Sequence, residues 1–262
     1  MPAELPRVIG VFDEAATSYD SVGVDFFTPI GAELVRRAAI RPGEHVLDVG
    51  CGRGAVLLGA AAAAGPEGRV VGTDLAPSTV ELTAAATAHL PAVSVRIGDA
   101  QAPAFAPESF DVVTAGLVLF FLPDPPAALA AYRRLLRPGG RLAFSSFAAF
   151  DPRYEAAMKA LAAHTAKPER QPQVPALFRT ADTIRAALAA WSDVRITEFV
   201  QVSHFAGVEQ WMTWLGSHAG RELVRAVPPE RLPAATAAAK AELAGDSEFQ
   251  LTTKVRIVVA DR

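Results

Sequence analysis

The sequence predicts an α/β protein with a parallel sheet carrying helices on both faces. Three observations carry this. Between His45 and about Phe147, short apolar runs alternate with helical patterns. A glycine-rich turn in "VLDVGCGRG", Val46 to Gly54, follows the first run. Two further runs far downstream alternate at period two, as strands with one buried face do.

Taken in order, "FDEAATSYD" and "DFFTPIGAELVRRAAI" read as two helices ahead of the first strand. "HVLDVG", "RVVGTD", "VSVRIGD", "FDVVTAG" and "RLAFSSF" are rich in Val, Ile, Leu and Phe, as strands buried on both faces should be. Between them lie the helical patterns "AVLLGAAAAAG", "APSTVELTAAATAHL" and "DPPAALAAYRRLLRPGG". The last has Asp124 as N-cap, Pro125 at the first helical position and a Pro-Gly-Gly stop. Downstream, "KPERQPQVP" is a polar, Pro-rich loop and "TADTIRAALAAW" a helix capped by Thr180. "VRITEFVQVSHF" and "FQLTTKVRIVV" complete a seven-stranded sheet, and about 45 residues of helical pattern separate them. This division predicts an N-terminal helical segment over 1–40, a ligand-binding core over 41–150, and a C-terminal part over 151–262 with an inserted helical segment at about 204–248. Ligands of such sheets bind beyond the carboxyl ends of the strands.

Composition bounds the function classes. With 25 basic and 28 acidic residues and no long basic run, nothing points to nucleic acid. "AVLLGAAAAAG" is too short to span a bilayer, and "MPAELPRVIG" lacks the blocks of a signal peptide. The lone cysteine, Cys51, excludes an internal disulfide framework and fits a reducing compartment. The expectation is a cytoplasmic protein with a small-molecule partner and no metal, as monomer or homodimer. No cluster has metal-ligand spacing.

The glycine turn by itself is ambiguous. Gly50-x-Gly52-x-x-Ala55 also satisfies a dinucleotide pattern, with Asp74 placed where a ribose-binding acid belongs. Asp48 shifts the balance, because a dinucleotide sets its anionic pyrophosphate against such a turn and a neighbouring carboxylate would repel it. S-adenosylmethionine carries an ammonium and a sulfonium instead, and an aspartate beside a close-approaching glycine backbone suits that ligand.

With "VLDVGCGRG", "VVGTDLA", "IGDAQ", "FDVVTAGLVLFFLPDP" and "LLRPGGRLAFSSF" in order, the chain resembles the class I S-adenosylmethionine-dependent methyltransferases over most of residues 10–147. The resemblance implies their Rossmann-like seven-stranded fold and S-adenosyl-L-methionine as cofactor. It places Asp48, Gly50, Cys51 and Gly52 in the first motif, and Asp74 on both ribose hydroxyls with Leu75 beside it. It sets Asp99 on the adenine amino group, Ala100 on the ring, and Ala115 and Gly116 in the segment facing the methyl donor. "FDEAATSYD" is similar to the lid of the menaquinone/ubiquinone-type small-molecule methyltransferases, where the tyrosine, here Tyr19, covers the methionine end.

Two departures follow. Many relatives carry a histidine after the fourth strand, where this chain has Phe120 and Phe121; the pair is expected to line a substrate pocket. In the minimal fold the last two strands form a close hairpin, so the intervening segment is expected to cap the acceptor. There Trp211, Trp214, Leu215 and His218 fall at i, i+3, i+4 and i+7 and would share one helix face. Trp211 and Trp214 become pocket candidates, and His218, with His204 behind it, the candidate catalytic base. His164 is weaker still, and His45 and His89 sit at element boundaries. The expected reaction is methyl transfer to O, N or C of a small apolar or aromatic metabolite. Rivals are a cyclisation or rearrangement that keeps the cofactor, an NAD-dependent oxidoreductase disfavoured by Asp48 and by the lack of a Tyr-x-x-x-Lys pair, and a non-catalytic binding module.

Overall fold

Seven strands form one sheet in the order β3-β2-β1-β4-β5-β7-β6. The computed structural model describes residues 4–166, 175–243 and 247–262, with side chains from Val8 onward. The strands are β1 (His45–Val49), β2 (Arg69–Asp74), β3 (Val93–Ile97), β4 (Phe110–Ala115), β5 (Leu136–Phe150), β6 (Ser192–Phe205) and β7 (Phe249–Asp261). The first five pair in parallel, whereas β7 runs antiparallel between β5 and β6. The sheet is therefore mixed, not wholly parallel as alternation implied. Parallel neighbours need helical crossovers, but β6 and β7 meet directly at Phe205↔Phe249, so theirs is a hairpin with 206–248 inserted at its tip.

Two helices precede the sheet, α1 (Glu4–Ala15) and α2 (Phe27–Ala38). The crossovers carry α3 (Leu57–Ala64), α4 (Pro77–Thr87) and α5 (Pro125–Leu135), and α6 (Pro152–Ala162) and α7 (Ala181–Ala187) follow β5. The insertion folds as α8 (Val208–Leu215), α9 (Arg221–Ala226) and α10 (Leu232–Leu243). Cap chemistry sets the starts. The Asp124 side chain accepts from Ala127 N, and Thr180 and Thr183 form a reciprocal capping box, each such cap contributing about 1 kcal/mol. The Pro-rich loop expected over 167–175 lies outside the described residues apart from Pro175.

Each face of the sheet buries its own apolar layer. One gathers Leu34 of α2, Leu57 of α3, Leu161 of α6 and Trp211, Trp214 and Leu215 of α8. The other packs Leu129 and Tyr132 of α5 and Ile184 of α7 against Leu47, Val113 and Leu142. Burying one such aliphatic or aromatic side chain contributes roughly 1.5–3 kcal/mol. The exception is β3, an edge strand whose Ile97 is 60% exposed, so "VSVRI" is not buried on both faces.

Candidate active site

The carboxyl ends of β1, β2 and β4 converge on the glycine turn. Gly50 takes φ +63°, and a Cβ there would meet Val118 Cγ2 at 2.2 Å. Only glycine fits both the left-handed backbone and that approach. The turn is tied to the end of β2: Cys51 N donates to the Thr73 carbonyl (2.9 Å) and Gly52 N to Asp74 Oδ2 (2.9 Å). Asp74 Oδ1 accepts from Ala76 N (3.0 Å), so the same carboxylate steadies the start of α4. On the other side α2 lies against the turn at Gly31, where a Cβ would sit 2.3 Å from the Ala55 carbonyl oxygen. No periodicity marks Gly31, so sequence reasoning had no means of finding it.

Beneath the turn is a cavity bounded by Tyr19, Asp48, Gly50, Cys51, Gly52, Arg53 and Gly116, with Phe27, Leu117 and Ser145 among its other walls. Asp48 is buried; its Oδ1 accepts from Thr114 Oγ1 (2.7 Å), and its Oδ2 has no partner. Burial pushes its pKa up to about 7; the Thr114 bond opposes this and the nearby Asp74 adds to it. Arg53 lines the same cavity, and its Nη1 is also buried without a partner. One carboxyl oxygen and one guanidinium nitrogen of residues lining this cavity thus have no hydrogen-bond partner among the described residues. Burial raises the Cys51 thiol well above its usual range, which leaves it a packing residue rather than a nucleophile. Leu117, at φ +54°, holds a strained backbone whose N–H donates to Ser145 Oγ (3.0 Å).

The remaining expected cofactor residues stand at the adjoining strand ends. Leu75 is half-buried after β2, Ala115 is buried at the end of β4, and Asp99 Oδ1 accepts from Gln101 N (2.8 Å) in the loop after β3. The Ala100 carbonyl accepts from the buried Tyr132 hydroxyl (2.7 Å), which anchors that loop to α5. Tyr132 reads in sequence as one more apolar position of an amphipathic helix, so its anchoring role was not visible.

Tyr19 follows α1 in a turn and stacks on Phe27 at 4.4 Å. From there ring contacts close on themselves. Phe27 meets Phe26, Phe26 meets Phe147, Phe147 meets Phe120, Phe120 meets Phe121, Phe121 meets Phe12, and Phe12 returns to Tyr19. The separations run from 4.4 Å to 6.4 Å. This seven-membered aromatic collar joins the lid, α2, β5 and the segment after β4, and Tyr19 and Phe27 also wall the cavity below. α1 is fastened at two points: Asp13 Oδ1 accepts from Ser78 N at the start of α4 (2.7 Å), and Glu14 pairs with Arg225 of α9.

The cap corrects the single helix face expected for its histidine. α8 stops at Leu215, so His218 lies in the following turn rather than one helical repeat beyond Trp214. It still packs on Trp214 (4.5 Å) and Phe27 (5.8 Å), and burial lowers its pKa to about 4. Its Nδ1 accepts from Gly220 N (3.3 Å), and its Nε2 is buried and unpartnered, like both indole nitrogens of Trp211 and Trp214. These three residues form a layer outside the collar, with Trp214 against Phe26 at 5.2 Å. His204, the second base candidate, is exposed between the buried Ser203 and Phe205. His164 is half-buried and His89 exposed. His45 starts β1 at the opposite end of the sheet, beside Arg137.

Among the described residues, no group of three or more His, Cys, Asp or Glu could hold a metal ion, and no helix is long and apolar enough to cross a membrane.

Comparison with known proteins gives a consistent picture. Residues 47–144 match a family model described as a methyltransferase domain. Nocamycin O-methyltransferase of Saccharothrix syringae is 53% identical over 134 residues, covering 50% of this chain and 48% of that one. Aklanonic acid methyltransferase DauC of a Streptomyces strain is 44% identical over 142 residues, covering 53% and 64%. The matched segment thus spans about half to two thirds of these curated relatives. The YcgJ protein of Bacillus subtilis superposes with a TM-score of 0.59 at 16% identity, covering 89% of this chain and 98% of that one, a likeness of fold.

Proposed function

Residues 47–144 are a methyltransferase domain, and from that premise we propose that the chain is a class I S-adenosylmethionine-dependent enzyme that methylates an oxygen of a small, flat, apolar metabolite. The observation that carries the cofactor reading is the pair of unpartnered polar atoms, one on Asp48 and one on Arg53, at the cavity by the glycine turn. The α-ammonium of the methionine part would meet Asp48 Oδ2 and its α-carboxylate Arg53 Nη1, two buried atoms with no hydrogen-bond partner among the described residues. A pyrophosphate in the same place would face Asp48 and Asp74 together and be repelled. The ribose hydroxyls fall to Asp74, the adenine to Asp99 and Ala100, with Leu75, Ala115 and Gly116 packing alongside and Tyr19 closing the methionine end.

S-adenosylmethionine supplies an electrophilic methyl group on a sulfonium. What the chain contributes is placement and dryness: the turn fixes the donor, and the collar, including Phe120 and Phe121, holds a ring system against it and keeps water out. Two relatives, named as a nocamycin O-methyltransferase and an aklanonic acid methyltransferase, support an oxygen acceptor through the first name and a small-molecule metabolite through both.

Calorimetry tests the cofactor assignment. S-adenosylhomocysteine should bind and NAD should not, and Asp74→Ala should weaken binding tenfold or more through two charge-assisted hydrogen bonds of roughly 1.5–3 kcal/mol each. Binding of NAD, or unchanged affinity in Asp74→Ala, overturns the reading.

A further inference from the structure

A second cavity, of about 340 Å³, lies in the groove between α5 and α7. Leu129, Ala130, Arg133 and Arg134 line it from one face of α5, Ala187, Ala190 and Trp191 face them, and Arg262 closes one end. Arg133 and Arg134 sit in the last turn of α5, which leads into β5, and Arg262 follows Asp261, which pairs with Arg141 near the start of β5. The arginine end of the groove therefore lies at the amino ends of the parallel strands, at the other end of the sheet from the glycine turn.

The charges there do not balance. Arg262 is committed, because its Nη2 pairs with Glu108 (2.9 Å) and its Nη1 donates to the Leu136 carbonyl. Two more acids at this end of the sheet, Asp111 and Asp261, are taken by Arg137 and Arg195. Arg134 Nη1 donates to the Phe105 carbonyl (3.3 Å), and Arg133 Nε is buried without a hydrogen-bond partner. Among the described residues neither of these two guanidinium groups forms an ion pair. A helix dipole favours basic residues in a last turn, which accounts for their position on α5 but not for the walls around them. Alanine at 130, 187 and 190 keeps the groove open where longer side chains would fill it, and the largely buried indole of Trp191 forms an apolar wall.

We propose that this groove is a binding site for a small aromatic anion, separate from the site of methyl transfer. A flat ring lies between the alanines and Trp191, where it removes apolar surface from water. An oxyanion head on that ring takes the planar N–H donors of Arg133 and Arg134 and supplies the counter-ion they lack. Neither the head nor the ring is served by the other's surroundings, so the ligand needs both.

The test follows the indole N–H signals of the full, ¹⁵N-labelled chain, with that of Trp191 identified by its loss in Trp191→Phe. The probe is 2-naphthalenesulfonate, which stays ionised at every working pH; 2-naphthalenemethanol is its neutral counterpart and sulfate the head alone. The Trp191 signal should move saturably with a Kd of about 1 mM or tighter. The alcohol and sulfate should each bind about tenfold or more weakly than the sulfonate, and Arg133→Gln should weaken the sulfonate by about tenfold or more. Ala130 is exposed, so Ala130→Leu should fold normally and block the groove; the unmoved signals of Trp211 and Trp214 check the fold of both variants. No saturable movement at Trp191, or movement at the other two indoles alone, overturns the proposal. So does an alcohol that binds as well as the sulfonate, which would leave a plain apolar cleft, or a sulfate that does, which would leave surface arginines alone. Wild-type affinity in folded Arg133→Gln or Ala130→Leu overturns it as well.

Discussion

On the proposed reading Asp48 is the residue on which cofactor choice turns, and its environment makes that choice depend on pH. In the free protein burial holds its pKa near about 7, so the carboxylate is protonated over much of the mildly acidic range. Only the ionised form attracts an ammonium. Affinity for S-adenosylhomocysteine should therefore rise by about tenfold per pH unit up to about pH 7 and level off above it. Asp48→Asn should bind more weakly and lose the slope; a wild-type affinity flat between pH 5 and 7 would remove Asp48 from the ammonium site. The stability of the free protein should run the other way. A carboxyl whose folded pKa is raised binds more protons folded than unfolded, so its contribution falls as pH rises from the ordinary carboxylate range through about 7. Asp48 was legible in the sequence because a carboxylate beside a glycine turn conflicts with a phosphate ligand. Arg53 was not, because a charged residue inside a glycine motif reads as solvated until burial strips its partners away.

Helices α1 and α8 show how elements were legible in kind but not in attachment. The apolar spacing of α1 suffices to place a helix ahead of the core, yet the role of Asp13 depends on Ser78, in a distant element. α1 touches both halves of the site: Asp13 holds the start of α4, next to Asp74, and Glu14 holds α9 in the cap. Closing over both ligands at once is what such a two-point attachment favours. Amide exchange over residues 10–25 should slow when S-adenosylhomocysteine is added, and Asp13→Ala should abolish most of that protection. Equal exchange with and without ligand would reduce Tyr19 to a packing residue. In the cap, period 3.6 pointed to one long helix through His218. The chain instead breaks at Gly216 and resumes at Arg221 after Gly220, where flexible backbone outweighs the apolar pattern.

At the scale of the whole molecule, alternation of strand and helix sufficed to give the α/β class and the first five strands, since buried parallel strands and crossover helices have distinct periods. It could not give the insertion of β7 between β5 and β6, because both neighbours offer an apolar face and only long-range pairing decides the order. Nor did it reveal that the cap shares its core with the sheet. Trp211, Trp214 and Leu215 belong to the same apolar layer as Leu34, Leu57 and Ile257, and α10 packs on α6. A cap that rode on the sheet as a separate unit would unfold separately. With a continuous core it should unfold with the rest, in a single cooperative transition. Trp211 is fully buried, and Trp211→Ala should cost about 3–5 kcal/mol by cavity formation. That loss should lower the denaturation midpoint of far-ultraviolet circular dichroism, which follows mainly the sheet and its crossover helices, and of Trp214 fluorescence in the cap by the same amount. Two separated transitions, or a Trp211→Ala variant that shifts the fluorescence midpoint alone, would make 206–248 an independent lid.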